Sequence, residues 1–69
     1  MNDSELEAIF TYHAPKIHQV EQYQMIRNAA HEFARAVNVL CPESREKALA
    51  MTSIQQAVMW ANAAKAIHE

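Results

Sequence analysis

Hydrophobic and polar positions alternate with helical period in three stretches, punctuated by Pro15 and Pro42. From Ala48 to Ala64 the chain runs seventeen residues without a charge, and neither Gly nor Pro interrupts it. Ala, Leu, Met and Gln are strong helix formers, so this stretch predicts the body of a long helix. One apolar stripe on it runs Ala50, Ile54, Ala57, Ala61, Ala64, at spacings of three and four. A second runs Leu49, Trp60, Ala63, Ile67, and Met51, Val58 and Met59 fill the angles between. A helix apolar nearly all round has to be buried nearly all round. The rest of a 69-residue chain is too short to cover it, so the pattern predicts partner subunits.

The preceding stretch is amphipathic. Tyr23, Ile26, Ala30, Phe33, Val37 and Leu40 keep the three–four spacing over five turns, opposite Glu21, Gln24, Asn28, Glu32 and Arg35. It predicts a helix from about Lys16 or Ile17 to Leu40, ended by Pro42, with Glu32 and Arg35 forming one i,i+3 ion pair. Ser44 then caps the third helix, with Glu46 in its first turn and Lys65 and His68 in its last, where the helix dipole favours them. Roughly three residues join the two long helices, a length that predicts antiparallel packing as a hairpin. At the N-terminus, Asp3 or Ser4 can cap a short helix carrying Leu6, Ile9 and Phe10 on its apolar side. Pro15 biases Ala14 away from helical geometry, so Thr11, Tyr12, His13 and Ala14 form an ordered connector. The expected fold is all-α, a single helical domain over residues 1–69: a short N-terminal helix, then an antiparallel helical hairpin, assembled into a homo-oligomer.

Bulk properties narrow the function. A formal charge of −2 argues against general binding to nucleic-acid phosphates. Cys41 is the single cysteine, so no disulfide forms within the chain; before Pro42 at a helix end it reads as a small buried hydrophobe. Sixty-nine residues lie near the lower limit for a self-sufficient core, which again favours oligomerisation. The acidic start Met-Asn-Asp-Ser-Glu does not read as a signal peptide, and the third helix holds too much Gln, Thr, Ser and Asn for a membrane span. A soluble, reducing, cytoplasmic setting is expected.

Candidate chemistry is sparse. His31-Glu32-Phe33-Ala34-Arg35 begins like the zinc motif His-Glu-x-x-His, but Arg35 replaces the second ligand. His13, His18, His31 and His68 lack tight ligand spacing, so no metal is expected. The chain has no Gly to build a phosphate cradle, and no nucleophile–base pair. Neither enzymatic activity nor a cofactor is expected. Trp60, among small residues on a helix that must pack, reads as an interface anchor. Tyr12 and His13, in a short loop before Pro15, are candidates for contact with a partner or ligand. Arg27 follows Ile26 of the apolar stripe, so its side chain emerges at the edge of that face.

Four runs resemble a known family. They are Thr11-Tyr12-His13-Ala14-Pro15, Tyr23-x-x-Ile26-Arg27-x-x-Ala30, Cys41-Pro42-x-Ser44-Arg45-Glu46-Lys47-Ala48-Leu49-Ala50, and Ala57-Val58-Met59-Trp60-Ala61-Asn62-Ala63-Ala64. From Thr11 onward the chain resembles small phage proteins that act as sponges for cyclic oligonucleotides and so counter bacterial CBASS immunity. The resemblance implies homohexamers that hold cyclic dinucleotides (cGAMP-like) in pockets between protomers. Some members also hold cyclic trinucleotides in separate pockets on the threefold axis. It implies a base-stacking role for Tyr12 and phosphate binding by Arg27; beside them His13 either assists at the ligand or, equally, caps or packs. A hydroxyl residue of that pocket falls at Ala29, which cannot donate a hydrogen bond. For a trinucleotide pocket the resemblance points only to the last turns, around Asn62 to Ile67.

The chemistry of such a ligand suits these residues. A cyclic dinucleotide carries two bases and two phosphates in approximate twofold symmetry, and an isologous interface supplies every residue twice. Two tyrosine rings can stack both bases, and two guanidiniums can meet both phosphates with charge-assisted hydrogen bonds. The expected function is sequestration of CBASS second messengers without cleavage, in the cytoplasm of the bacterial host, with no DNA or membrane partner. The alternative is a helical protein–protein interaction module without a small ligand, for which pairing Tyr12 with Arg27 is incidental.

Overall fold

Three helices and no strand make up residues 1–69 of the computed structural model: α1 (Asp3–Phe10), α2 (Ile17–Leu40) and α3 (Arg45–His68). The all-α class and the helical hairpin read from the sequence are the observed fold. The helix ends follow local chemistry. Lys16 precedes α2 in an extended conformation, and its backbone N–H donates to Gln19 Oε1 at 2.9 Å. At the other end Cys41 leaves the helix after donating its N–H to Val37 O at 3.0 Å, and Pro42 forbids continuation. The Ser44 hydroxyl accepts from the Lys47 N–H at 3.1 Å and starts α3.

Three local expectations need correction. Asn2, rather than Asp3 or Ser4, caps α1, its Oδ1 accepting the Glu5 N–H at 2.8 Å. Asn is among the best N-cap residues, and placing it there leaves Asp3 in the first turn, where the dipole favours an acid. Cys41 is exposed rather than buried, because the turn it begins projects beyond both long helices and nothing in the protomer covers it. Glu32 and Arg35 form no ion pair; the pairs present are Lys47–Glu43 and Lys65–Glu69. An exposed i,i+3 pair gains too little in water to offset fixing two long side chains.

Four residues, Cys41–Ser44, join α2 to α3, which pack against each other as the main helix pair; α1 packs only sparsely. The hairpin is stapled at both ends. Near the turn, Lys47 is 8 % exposed and spends its ammonium protons on Asn38 O at 2.9 Å and Glu43 Oε1 at 2.6 Å. At the open end, Lys16 Nζ donates to Glu69 O at 2.7 Å, and Lys65 Nζ donates to Glu69 Oε2 at 2.6 Å and to Gln22 Oε1. Gln19, 3 % exposed, lies under this clasp, with its amide 3.5 Å from Glu69 Oε2.

The protomer is a slab of 45 × 30 × 12 Å. A thickness of 12 Å is that of one helix with its side chains, about 10–12 Å, so no second layer lies over either face. The radius of gyration is 15.2 Å, against about 11 Å for a compact chain of this length. In consequence no hydrophobic residue is buried, and Ile17, Phe33, Leu40, Met59 and Trp60 stand largely exposed. Ala57 and Ala64 of the first stripe, and Leu49 and Trp60 of the second, are left exposed. No helix is long and apolar enough to cross a membrane.

Candidate functional site

Two grooves flank the seam between α2 and α3, sharing Ala30, Ile54 and Val58 between them. One, of about 540 Å³, is apolar, running along Ile26, Ala29 and Phe33 on α2 and Ala50, Ser53, Ala57 and Ala61 on α3. The other, of about 600 Å³, is polar on its α2 side, where Gln24, Arg27, Asn28 and His31 face Gln55 and Met59. Residues 27 and 29 differ by about 200° around a helix at 100° per residue, which puts Ala29 on the apolar side and Arg27 on the polar side.

Arg27 is exposed and makes no ion pair. Its Nη2 donates to Gln24 Oε1 at 2.7 Å, and Gln24 Nε2 in turn donates to Asn28 Oδ1 at 2.8 Å. This relay lies on one helix face at i,i+3 and i,i+4 spacing. It orients the guanidinium through neutral partners and leaves its charge uncompensated. The sequence pattern places Gln24 and Asn28 only on the polar face of α2. Their spacing from each other and from Arg27 is the signal that could have marked them as its supports.

Tyr12 stands in the connector, 83 % exposed, and its hydroxyl makes no hydrogen bond within the protomer. His13 beside it is half-buried. It lines a third cleft of about 350 Å³ at the open end of the hairpin, with Pro15, Tyr23, Asn62, Ala63 and Ala66. Asn62 Oδ1 is buried there without a hydrogen-bond partner. The clefts lined by Arg27 and by His13 share no residue, and neither includes Tyr12. The structure thus brings Tyr12 and His13 together through the chain but leaves Arg27 in a separate groove of the same protomer.

No group of three or more His, Cys, Asp or Glu side chains converges to hold a metal ion. His31, first residue of the zinc-like run, is exposed and lines the Arg27 groove instead. What the arrangement offers is cationic and aromatic recognition: a guanidinium without an ion-pair partner, an exposed phenol ring and several amide donors.

Comparison with known families gives one match. The family described as Acb2/Tad1, hairpin domain, matches residues 2–66. The match takes in α1, which lies ahead of the four sequence runs that begin at Thr11. No curated protein and no solved structure matches the chain.

Proposed function

The chain belongs to the Acb2/Tad1 hairpin family, the anti-CBASS cyclic-oligonucleotide sponges, and from that membership we propose that it captures cyclic dinucleotides and holds them intact. The observation that carries the reading is the family match over residues 2–66. Tyr12 and Arg27 supply the chemistry. Both side chains are exposed and uncommitted to packing in their own protomer, which favours their use toward a ligand. A pocket that uses both draws them from neighbouring copies, because one protomer keeps Arg27 and the connector in different clefts. The working assembly is a homohexamer with twofold-symmetric pockets between protomers, acting in the cytoplasm of the bacterial host.

In such a pocket each Tyr12 ring stacks on one base, contributing about 1–3 kcal/mol. Each Arg27 guanidinium forks onto one phosphate, where a charge-assisted hydrogen bond is worth about 1.5–3 kcal/mol. A protein of net charge −2 with a few focused cations suits a small dianion better than a long polyanion. Ala29 supplies no hydroxyl, so affinity rests on stacking and charge. Inhibition is stoichiometric: messenger bound here is withheld from the host effector by mass action.

The test is calorimetric titration with a panel of cyclic di- and trinucleotides, followed by recovery of the ligand after heat denaturation. Intact ligand and a submicromolar dissociation constant for at least one dinucleotide are expected. Tyr12→Ala and Arg27→Ala should each lower affinity roughly a hundredfold or more, since a symmetric pocket loses two contacts per substitution. Arg27→Lys should lose less, keeping the charge without the fork. Catalytic appearance of linear product would return the protein to the enzymes. Absence of binding to every nucleotide would leave the protein-interaction reading.

A further inference from the structure

α1 ends at Phe10, and the carbonyls of its last turn have no partners within the helix. Thr11 N–H takes Glu7 O at 2.9 Å. The next carbonyl, Ala8 O, is taken by a side chain: His13 Nε2 lies 2.9 Å from it. A carbonyl oxygen can only accept, so Nε2 carries the proton and donates. The same imidazole lines the cleft between Tyr23 on α2 and Asn62, Ala63 and Ala66 on α3. One ring therefore touches the end of α1 and lies against both arms of the hairpin. Little else ties α1 to the hairpin. Tyr12, the adjacent residue, has no hydrogen bond of its own and stands 83 % exposed. Its place relative to the hairpin is set by the backbone on either side of it.

We propose that His13 is a positioning residue: by capping α1 at Ala8 O while seated in the open-end cleft of the hairpin, it fixes the connector that presents Tyr12. The proposal rests on the reading of Tyr12 as the base-stacking residue, and it assigns His13 a role through Tyr12 instead of direct contact with the nucleotide. The physical gain is preorganisation. A ring already held on a fixed backbone loses less freedom on binding, and releasing it costs a few-fold to about tenfold in affinity per ring.

Two substitutions separate the hydrogen bond from the filling of the cleft. His13→Phe keeps a ring in the cleft and removes the donor. His13→Gln restores an amide nitrogen the same number of bonds from Cα as Nε2. The full-length oligomer is labelled with fluorotyrosine, which reports on Tyr12 and on Tyr23, the only tyrosines. Fluorine line widths are read without ligand, and affinity is then measured with cyclic GMP–AMP. In His13→Phe the Tyr12 line should narrow as the connector loosens, and affinity should fall about tenfold or more. His13→Gln should return both readings to within about twofold of the parent.

An unchanged Tyr12 line in His13→Phe overturns the proposal. So does equal behaviour of the Gln and Phe variants. Lost affinity with an unchanged Tyr12 line makes His13 a ligand contact. Circular dichroism showing an unfolded hairpin in His13→Phe also overturns it, since a connector brace leaves α2 and α3 folded. Should Tyr12→Ala bind the nucleotide normally, the stacking role given to Tyr12 above fails, while the ligand-free line widths still decide whether His13 braces the connector.

Discussion

Replacing Trp60 by alanine should take the proposed assembly apart without weakening the single chain. Trp60 is the only tryptophan and is 75 % exposed in the protomer. A tryptophan buries about 150–250 Å² when fully covered. With 75 % of the residue still open, roughly 110–190 Å² remains for a neighbouring copy to cover. At about 25 cal/mol per Å², that is roughly 3–5 kcal/mol per ring, or between two and three and a half decades in the association constant. Within the protomer the same truncation removes little, and exposed substitutions usually change stability by less than about 0.5 kcal/mol. Light scattering coupled to gel filtration across a dilution series reads the dissociation point, and circular dichroism reads helicity. The parent's tryptophan emission should lie toward the blue when assembled and move to the red on dilution. A variant of unchanged mass at every concentration would refute the argument, as would parent emission that is water-like throughout.

Ala57→Glu should split the proposed assembly into folded subunits, because it places an unpaired charge on a face that assembly would cover, at a cost of several kcal/mol; an intact oligomer on gel filtration would mean that face is free. Ala61→Glu, inside the apolar groove, should act in the same direction and also lower the melting temperature. Lys47→Met should destabilise the hairpin by about 1.5–3 kcal/mol, since it removes a charge-assisted bond to Asn38 O from a nearly buried site; a urea midpoint equal to the parent's would refute it. The hydrogen bond from Lys65 holds the Glu69 carboxyl below its ordinary value of 4.5, against opposing desolvation and aided by the charges of Lys65 and His18 and by Gln19. A carboxylate depressed on folding contributes stability above its unfolded value and loses it as pH falls through the folded one. The open-end clasp should therefore loosen in acid, below about pH 4.5, and Glu69→Gln should flatten that acid limb of the stability curve.

The helices were legible because their signals are local. Pro15 and Pro42, the Ser44 cap and the three–four spacing from Tyr23 to Leu40 are all contained within a turn or two of chain. Lys65 and His68 fall in the last turn of α3, as the dipole argument required. The α1 cap lies ahead of Asp3 and Ser4 because Asn2, Asp3 and Ser4 are all good caps in a row, and local pattern does not choose among them. Charge-free composition along Ala48–Ala64 pointed to faces the chain could not cover, and the protomer leaves Ala57, Ala64 and Trp60 uncovered. What period alone could not give is long-range pairing. Nothing in the local pattern says that Lys47 turns inward to Asn38, that His13 reaches back to Ala8, or that Gln19 is the most buried residue. Lys47 meets its acceptor only where the packed helices bring Asn38 near, and His13 meets its own only where the connector folds back on the end of α1.

The two staples of the hairpin close loops of very different size, which gives the molecule an order of assembly in time. Lys47 and Asn38 are nine residues apart, while Lys16 and Glu69 are 53 apart. By loop-closure entropy the long loop costs roughly 1.6 kcal/mol more to close than the short one. The turn therefore nucleates, and the pairing of α2 with α3 zips outward from it. Substituting Lys47 should therefore slow folding, and substituting Glu69 should mainly speed unfolding; stopped-flow rates of the two variants check both. Unzipping runs the other way, so the end that frays first is the one beside the Tyr12 connector. Amide exchange should be fastest there and slow toward Lys47, and any ligand or subunit that grips the open end acts as a latch on the whole hairpin's lifetime.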